Sequence, residues 1–227
     1  IYTGNGNKEL DFKSKAIIVK SENGPQFTII DCENEGRGFK LQRGENRSSE
    51  IRGFTIMNGS TDKGGAVFCY RSSPTIAENI IVKSISGYGG GIYLEESEAL
   101  ITDNIIEENT AKSQGGAIYS GFSSPIIKNN LIADNIGRAN GGAISCRRSE
   151  IQIDSNDIIE NMAALCGGGI YCEEDCSLTV VNNLVVENST FRGGGIYCWA
   201  ICELKLINNT VVKNEAGFGG GIYSKQN

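Results

Sequence analysis

The side chains of this chain with the means to do chemistry are carboxylates, arginines, thiols and tyrosines; histidine is absent from all 227 positions. Without imidazole there is no histidine general base, no histidine triad and little of the usual donor set of catalytic zinc. The acids that cluster are Glu107 with Glu108, and Glu173 with Glu174 and Asp175, the latter group lying near Arg147 and Arg148. Oxygen donors of this kind suit calcium if they converge. A surface ion pair between Arg147 and Glu173 is the more economical reading. No catalytic residue is assigned, no cofactor is required, and calcium is left open.

Eight cysteines offer a second chemistry. Cys69, Cys146, Cys172 and Cys198 each follow a Gly-Gly-x-β-branched segment at the same offset, and Cys176 and Cys202 share a second offset four residues later. Bridges within a repeat, Cys172 to Cys176 and Cys198 to Cys202, compete with bridges between repeats, Cys172 to Cys198 and Cys176 to Cys202. A four-cysteine zinc site is a third reading. Cys32, Cys69, Cys146 and Cys166 read as free thiols. Disulfides would suit a location outside the cell.

The elements that position these groups emerge when the glycines are aligned. Gly-Gly pairs begin at Gly64, Gly89, Gly115, Gly141, Gly167, Gly193 and Gly219, spaced by 25 and then five times by 26 residues. A small residue, a β-branched residue and usually an aromatic one follow each pair. Six segments, from ENIIVKS to NNTVVKN, then place Asn79, Asn104, Asn130, Asn156, Asn183 and Asn209 in one register. Apolar residues alternate over short stretches and never hold helical spacing for three turns, so each repeat reads as short strands joined by turns. One such unit buries little alone, whereas stacked units share a continuous core. The fold read from this pattern is all-β: a right-handed parallel β-helix of about eight coils of roughly 26 residues, three short strands per coil, and roughly 40 Å long at the usual strand spacing.

Alternation assigns the faces. Ile76, Ile101, Ile127, Ile153, Val180 and Leu206 point inward, as do Ile81, Ile106, Ile132, Ile158, Val185 and Val211, and the Gly-Gly strand adds Val67, Ile92, Ile118, Ile144, Ile170, Ile196 and Ile222. The register asparagines stack as a structural ladder at a turn. The following aromatic row, Phe68, Tyr93, Tyr119, Tyr171, Tyr197 and Tyr223, then faces solvent, broken by Ser145 and flanked by Trp199. Flat rings at regular spacing suit sugar rings, or else stack on one another between coils.

The iterated GGGIYC and NNxVVxN units, running from about Gly36 onward, resemble the right-handed parallel β-helix repeats of large bacterial and archaeal surface or secreted proteins. That resemblance implies a fold shared by pectate lyases, polygalacturonases, adhesins and inactive scaffolds. The polygalacturonase pattern of an Asp pair and a Gly-His-Gly element is missing. A pectate-lyase-like site would need calcium-binding acids with an arginine base, for which only the clusters named above are candidates.

A net charge of −6 disfavours nucleic acid, whose recognition rests on concentrated Lys and Arg. No run of about 18 apolar residues suggests a transmembrane segment. The whole of 1–227 reads as one β-helix domain of a longer protein, with irregular first coils over 1–63 and regular repeats over 64–227. The expected function is a non-catalytic extracellular or cell-surface scaffold or adhesive module contacting polysaccharide or another protein chain, with self-association through terminal coils. The alternative is a polysaccharide lyase or glycoside hydrolase domain.

Overall fold

The computed structural model describes residues 1–225, which wind into a solenoid of parallel strands. One coil runs through the strands Leu100–Thr102, Ile105–Glu107, Thr110–Gln114 and Ile118–Gly121. Their counterparts in neighbouring coils pair in parallel, giving four sheets of eight, eight, seven and eight strands in that order around the coil. These are called the first to fourth sheets. Three strands per coil are expected from alternation; the additional short one is the segment before each Gly-Gly pair, whose mixed composition hides its pairing.

Direct stacking of like residues builds the core. Ile92, Ile118, Ile144 and Ile170 are successive partners in the fourth sheet, and Ile76, Ile101 and Ile127 in the first. All seven are fully buried. Each such side chain contributes about 2 to 3 kcal/mol of hydrophobic stabilisation. Leu206 and Ile222 depart from the expected inward rows, being 37% and 43% exposed. Their strands belong to the last described coil and pair on one side alone.

The corners explain the asparagines. The residue before each ladder position, Glu78, Asp103, Asn129, Ser155, Asn182 and Asn208, has φ between 52° and 58°. Such left-handed geometry is unfavourable for non-glycine residues. The ladder side chain offsets that cost by binding the turn. Asn130 Nδ2 donates to Lys128 O at 2.8 Å, to Ile101 O at 3.0 Å and to Asn156 Oδ1 at 2.9 Å. A second ladder that the sequence reading did not single out, Asn109, Asn135, Asn161, Asn188 and Asn214, repeats this at the corner between the second and third sheets.

The glycine pairs form the corner between the third and fourth sheets. Gly141 has φ +64°, and a Cβ on Gly142 would stand 2.2 Å from Gly168 O. The first glycine therefore meets a dihedral requirement and the second a close approach of stacked backbones.

Candidate functional site

The outer face of the fourth sheet carries the aromatic row. Tyr93 is the partner of Tyr119, Tyr119 of Ser145, Ser145 of Tyr171, Tyr171 of Tyr197, and Tyr197 of Tyr223. Tyr93 and Tyr119 stack with centroids 5.2 Å apart and planes within 8°, Tyr171 and Tyr197 at 5.6 Å and 19°, and Tyr197 and Tyr223 at 5.4 Å and 7°. The expectation of solvent-facing rings is corrected here: Tyr93, Tyr119, Tyr171 and Tyr197 are 3%, 8%, 3% and 5% exposed. Strand spacing of about 4.8 Å is close to ring stacking distance, so each ring uses its neighbour's face and leaves none for a ligand. Tyr223 is half-buried, and Trp199 is exposed.

Ser145 breaks this stack. In the row two residues further along the strand, Glu95, Gly121, Arg147, Glu173 and Trp199 are successive partners. A cleft of about 300 Å³ opens over Gly121, where no side chain projects, walled by Tyr88, Glu95, Gln114, Phe122, Arg147 and Glu173, with Tyr93, Tyr119 and Lys63 also lining it. Ser145 itself is fully buried and lies outside that lining. Gln114 bridges the gap: its Oε1 accepts from Ser145 Oγ at 3.1 Å and its Nε2 donates to Glu173 Oε1 at 3.2 Å. Tyr93 and Tyr171 hydroxyls donate to Glu95 at 2.7 Å and Glu173 at 2.8 Å, orienting both carboxylates. Burial, with the Glu173 carboxylate nearby, pushes the Tyr119 hydroxyl up to about 12.

The ion pair read from the sequence is shifted by one residue. Arg147 reaches Glu174 at 2.8 Å, and Arg148 reaches the same carboxylate at 2.9 Å. The hydrogen bond from Arg147, with the charge of both guanidiniums, lowers the Glu174 pKa. Arg147 Nε is buried and has no hydrogen-bond partner among the described residues. The other acidic pair is also engaged, Glu108 lying 3.7 Å from Lys83. Among the described residues no group of three or more Cys, Asp or Glu side chains is arranged to hold a metal ion.

Lys63, Tyr88, Gln114 and Phe122 were not legible as site residues. Tyr88 pairs with both Lys63 and Gln114, and all three precede a Gly-Gly pair directly. That position was the available signal, concealed because its residue type changes from coil to coil.

All eight cysteines are free thiols. Neither pattern of bridges read from the sequence is formed, although Cys172 partners Cys198 and Cys176 partners Cys202 in adjacent coils. Cys32, Cys69 and Cys146 are buried and Cys166 is partly so.

Among the described residues no helix is long and apolar enough to cross a membrane. Comparison with known families finds the model described as a right handed beta helix region, matching residues 44–214. No curated protein and no solved structure matches the chain.

Proposed function

The chain belongs to the right-handed β-helix family, and from that premise we propose that it is a non-catalytic scaffold that binds polysaccharide in the cleft over Gly121. One observation carries this reading: the recess over Gly121 is lined by polar groups that hydrogen bonds hold in place beside two exposed rings. Tyr88 and Phe122, 38% and 49% exposed, supply ring surface, while Glu95, Gln114, Arg147 and Glu173 supply the donors and acceptors that sugar hydroxyls require. An extracellular or cell-surface location accompanies this reading, because polysaccharide is met there.

Spacing disfavours hydrolysis. Glu95 and Glu173 are three strands apart in one sheet, about 14 Å at the usual strand spacing. Paired glycosidase carboxylates stand roughly 5 to 10 Å apart. The same geometry leaves Glu174 committed to two arginines, so it offers calcium little.

The test is a panel of acidic and neutral polysaccharides, with and without calcium, scored for retention and for reducing ends or unsaturated products. Retention without products is expected, and Phe122→Ala and Arg147→Ala should each weaken retention at least tenfold with unchanged melting. Product formation, or retention indifferent to both substitutions, overturns the proposal.

A further inference from the structure

Two inward rows at the corner between the fourth and first sheets take no part in the cleft. One runs through Leu94, Ser120, Cys146, Cys172 and Cys198 as successive strand partners. The other is a serine ladder: Ser97 N donates to Ser123 Oγ at 3.0 Å and Ser123 N to Ser149 Oγ at 3.1 Å. Cys176 continues from Ser149, since the residues after them, Ser177 and Glu150, are partners, and Cys202 stacks on Cys176. Both rows therefore hold cysteine in the same two adjacent coils.

Packing alone does not ask for this, because the earlier coils fill the second row with serine alone. The placement gives every cysteine of one coil a cysteine partner in the next. Cys172 and Cys198 sulfurs are 2.9 Å apart. Cys172, Cys176 and Cys198 are at most 3% exposed, and Cys202 is half-buried. Directly paired parallel strands hold their Cα atoms about 5 Å apart, within the span a disulfide bridges.

We propose that these two rows are a redox-formed staple, Cys172 to Cys198 and Cys176 to Cys202, made coil to coil by exchange with a low-molecular-weight disulfide such as oxidised glutathione. Cys202 is the attacking group. The S–H groups of Cys172 and Cys176 favour its thiolate and hold it below the ordinary thiol value. Its sulfur bonds to one sulfur of the small disulfide and releases one small thiolate. Cys176 then attacks the Cys202 sulfur and releases the second, so two protein thiols are oxidised and the small disulfide is reduced to two thiols, which take up the two protons. Cys172, which adjoins Cys202, next attacks the Cys202 sulfur and frees Cys176. Cys198 attacks Cys172 and frees Cys202, leaving the buried bridge made and the first pair ready for a second equivalent of oxidant.

The test incubates the chain with oxidised glutathione, alkylates remaining thiols on unfolding and maps peptides without reduction. Linked peptides for Cys172 with Cys198 and Cys176 with Cys202, both released by dithiothreitol, are the expected result. Cys202→Ser, a residue its own row carries at Ser149, should slow formation of the Cys172 to Cys198 bridge at least tenfold, whereas Cys69→Ser should leave it unchanged. Full alkylation of all four of these thiols overturns the proposal, as do bridges within a coil, protection removed by a chelator rather than by dithiothreitol, or a Cys202→Ser variant oxidised at the parent rate.

Discussion

Asn104 donates twice to one atom of Asn130: its backbone N–H and its Nδ2 both reach Asn130 Oδ1 at 3.0 Å. Each rung thus satisfies two buried donors of its neighbour while its own amide closes a left-handed turn. Asn130→Ala removes these bonds together and should cost about 3 kcal/mol or more, since each buried group left unpaired costs about 1 to 3 kcal/mol. Asn209→Ala, in a half-buried rung, should cost less because water reaches the freed groups. Urea unfolding with hydrogen exchange across the coils measures both, and equal costs would contradict the ladder account.

Filling the gap in the tyrosine stack separates binding from folding. Ser145→Tyr places a ring between Tyr119 and Tyr171, its strand partners on either side. That ring must displace Gln114, which covers Ser145 and lines the cleft. Stacking on both neighbours should hold the melting temperature near that of the parent, while the displaced Gln114 obstructs the cleft and polysaccharide retention falls at least tenfold. A variant that folds and still binds as the parent does would remove the cleft from the proposed site.

The two corner glycines should respond differently from the position after them. Gly142→Ala sets a Cβ 2.2 Å from Gly168 O and should destabilise by about 1 to 3 kcal/mol or more. Gly91→Ala, whose nearest neighbour is Ala117 O at 3.0 Å, occupies a position that already carries Ala66, Ala117 and Ala143 in other coils. Its cost should be within about 0.5 kcal/mol. Thermal melts of the two variants decide the matter.

Alkaline pH should loosen the fold through the tyrosines. Burial raises the Tyr119 and Tyr197 hydroxyls from the usual 10.0 to about 12, and raises Tyr93 and Tyr171 as well. A raised folded value means that the unfolded chain ionises first. The stabilisation is complete below about pH 10 and is lost as pH climbs through about 12. Tyr171→Phe should lessen that loss while costing about 1 to 3 kcal/mol at neutral pH, because Glu173 forfeits a buried donor. Melting against pH, with tyrosinate absorbance followed in parallel, reports both effects.

What the sequence determined by itself was the repeat and its consequences. Glycines at a fixed interval, alternating isoleucines and asparagines in register leave one economical solution, because each coil buries its apolar face only against a copy of itself. The fold class, the inward rows and the first asparagine ladder follow from that local periodicity. Tertiary structure decided what happens on the outside. Alternation places Tyr93 and Tyr171 outward, yet only the stacking distance between coils reveals that outward rings bury one another. Ser145 reads as a blemish in a row until the third sheet brings Gln114 over it, and Arg147 finds Glu174 rather than Glu173 because a side chain's reach is set in three dimensions. The two cysteine rows are likewise visible as letters, while the 2.9 Å meeting of Cys172 and Cys198 depends on which residues successive coils set one above the other. Periodicity fixes which residues share a row; the contacts between rows depend on the sheets brought together at each corner.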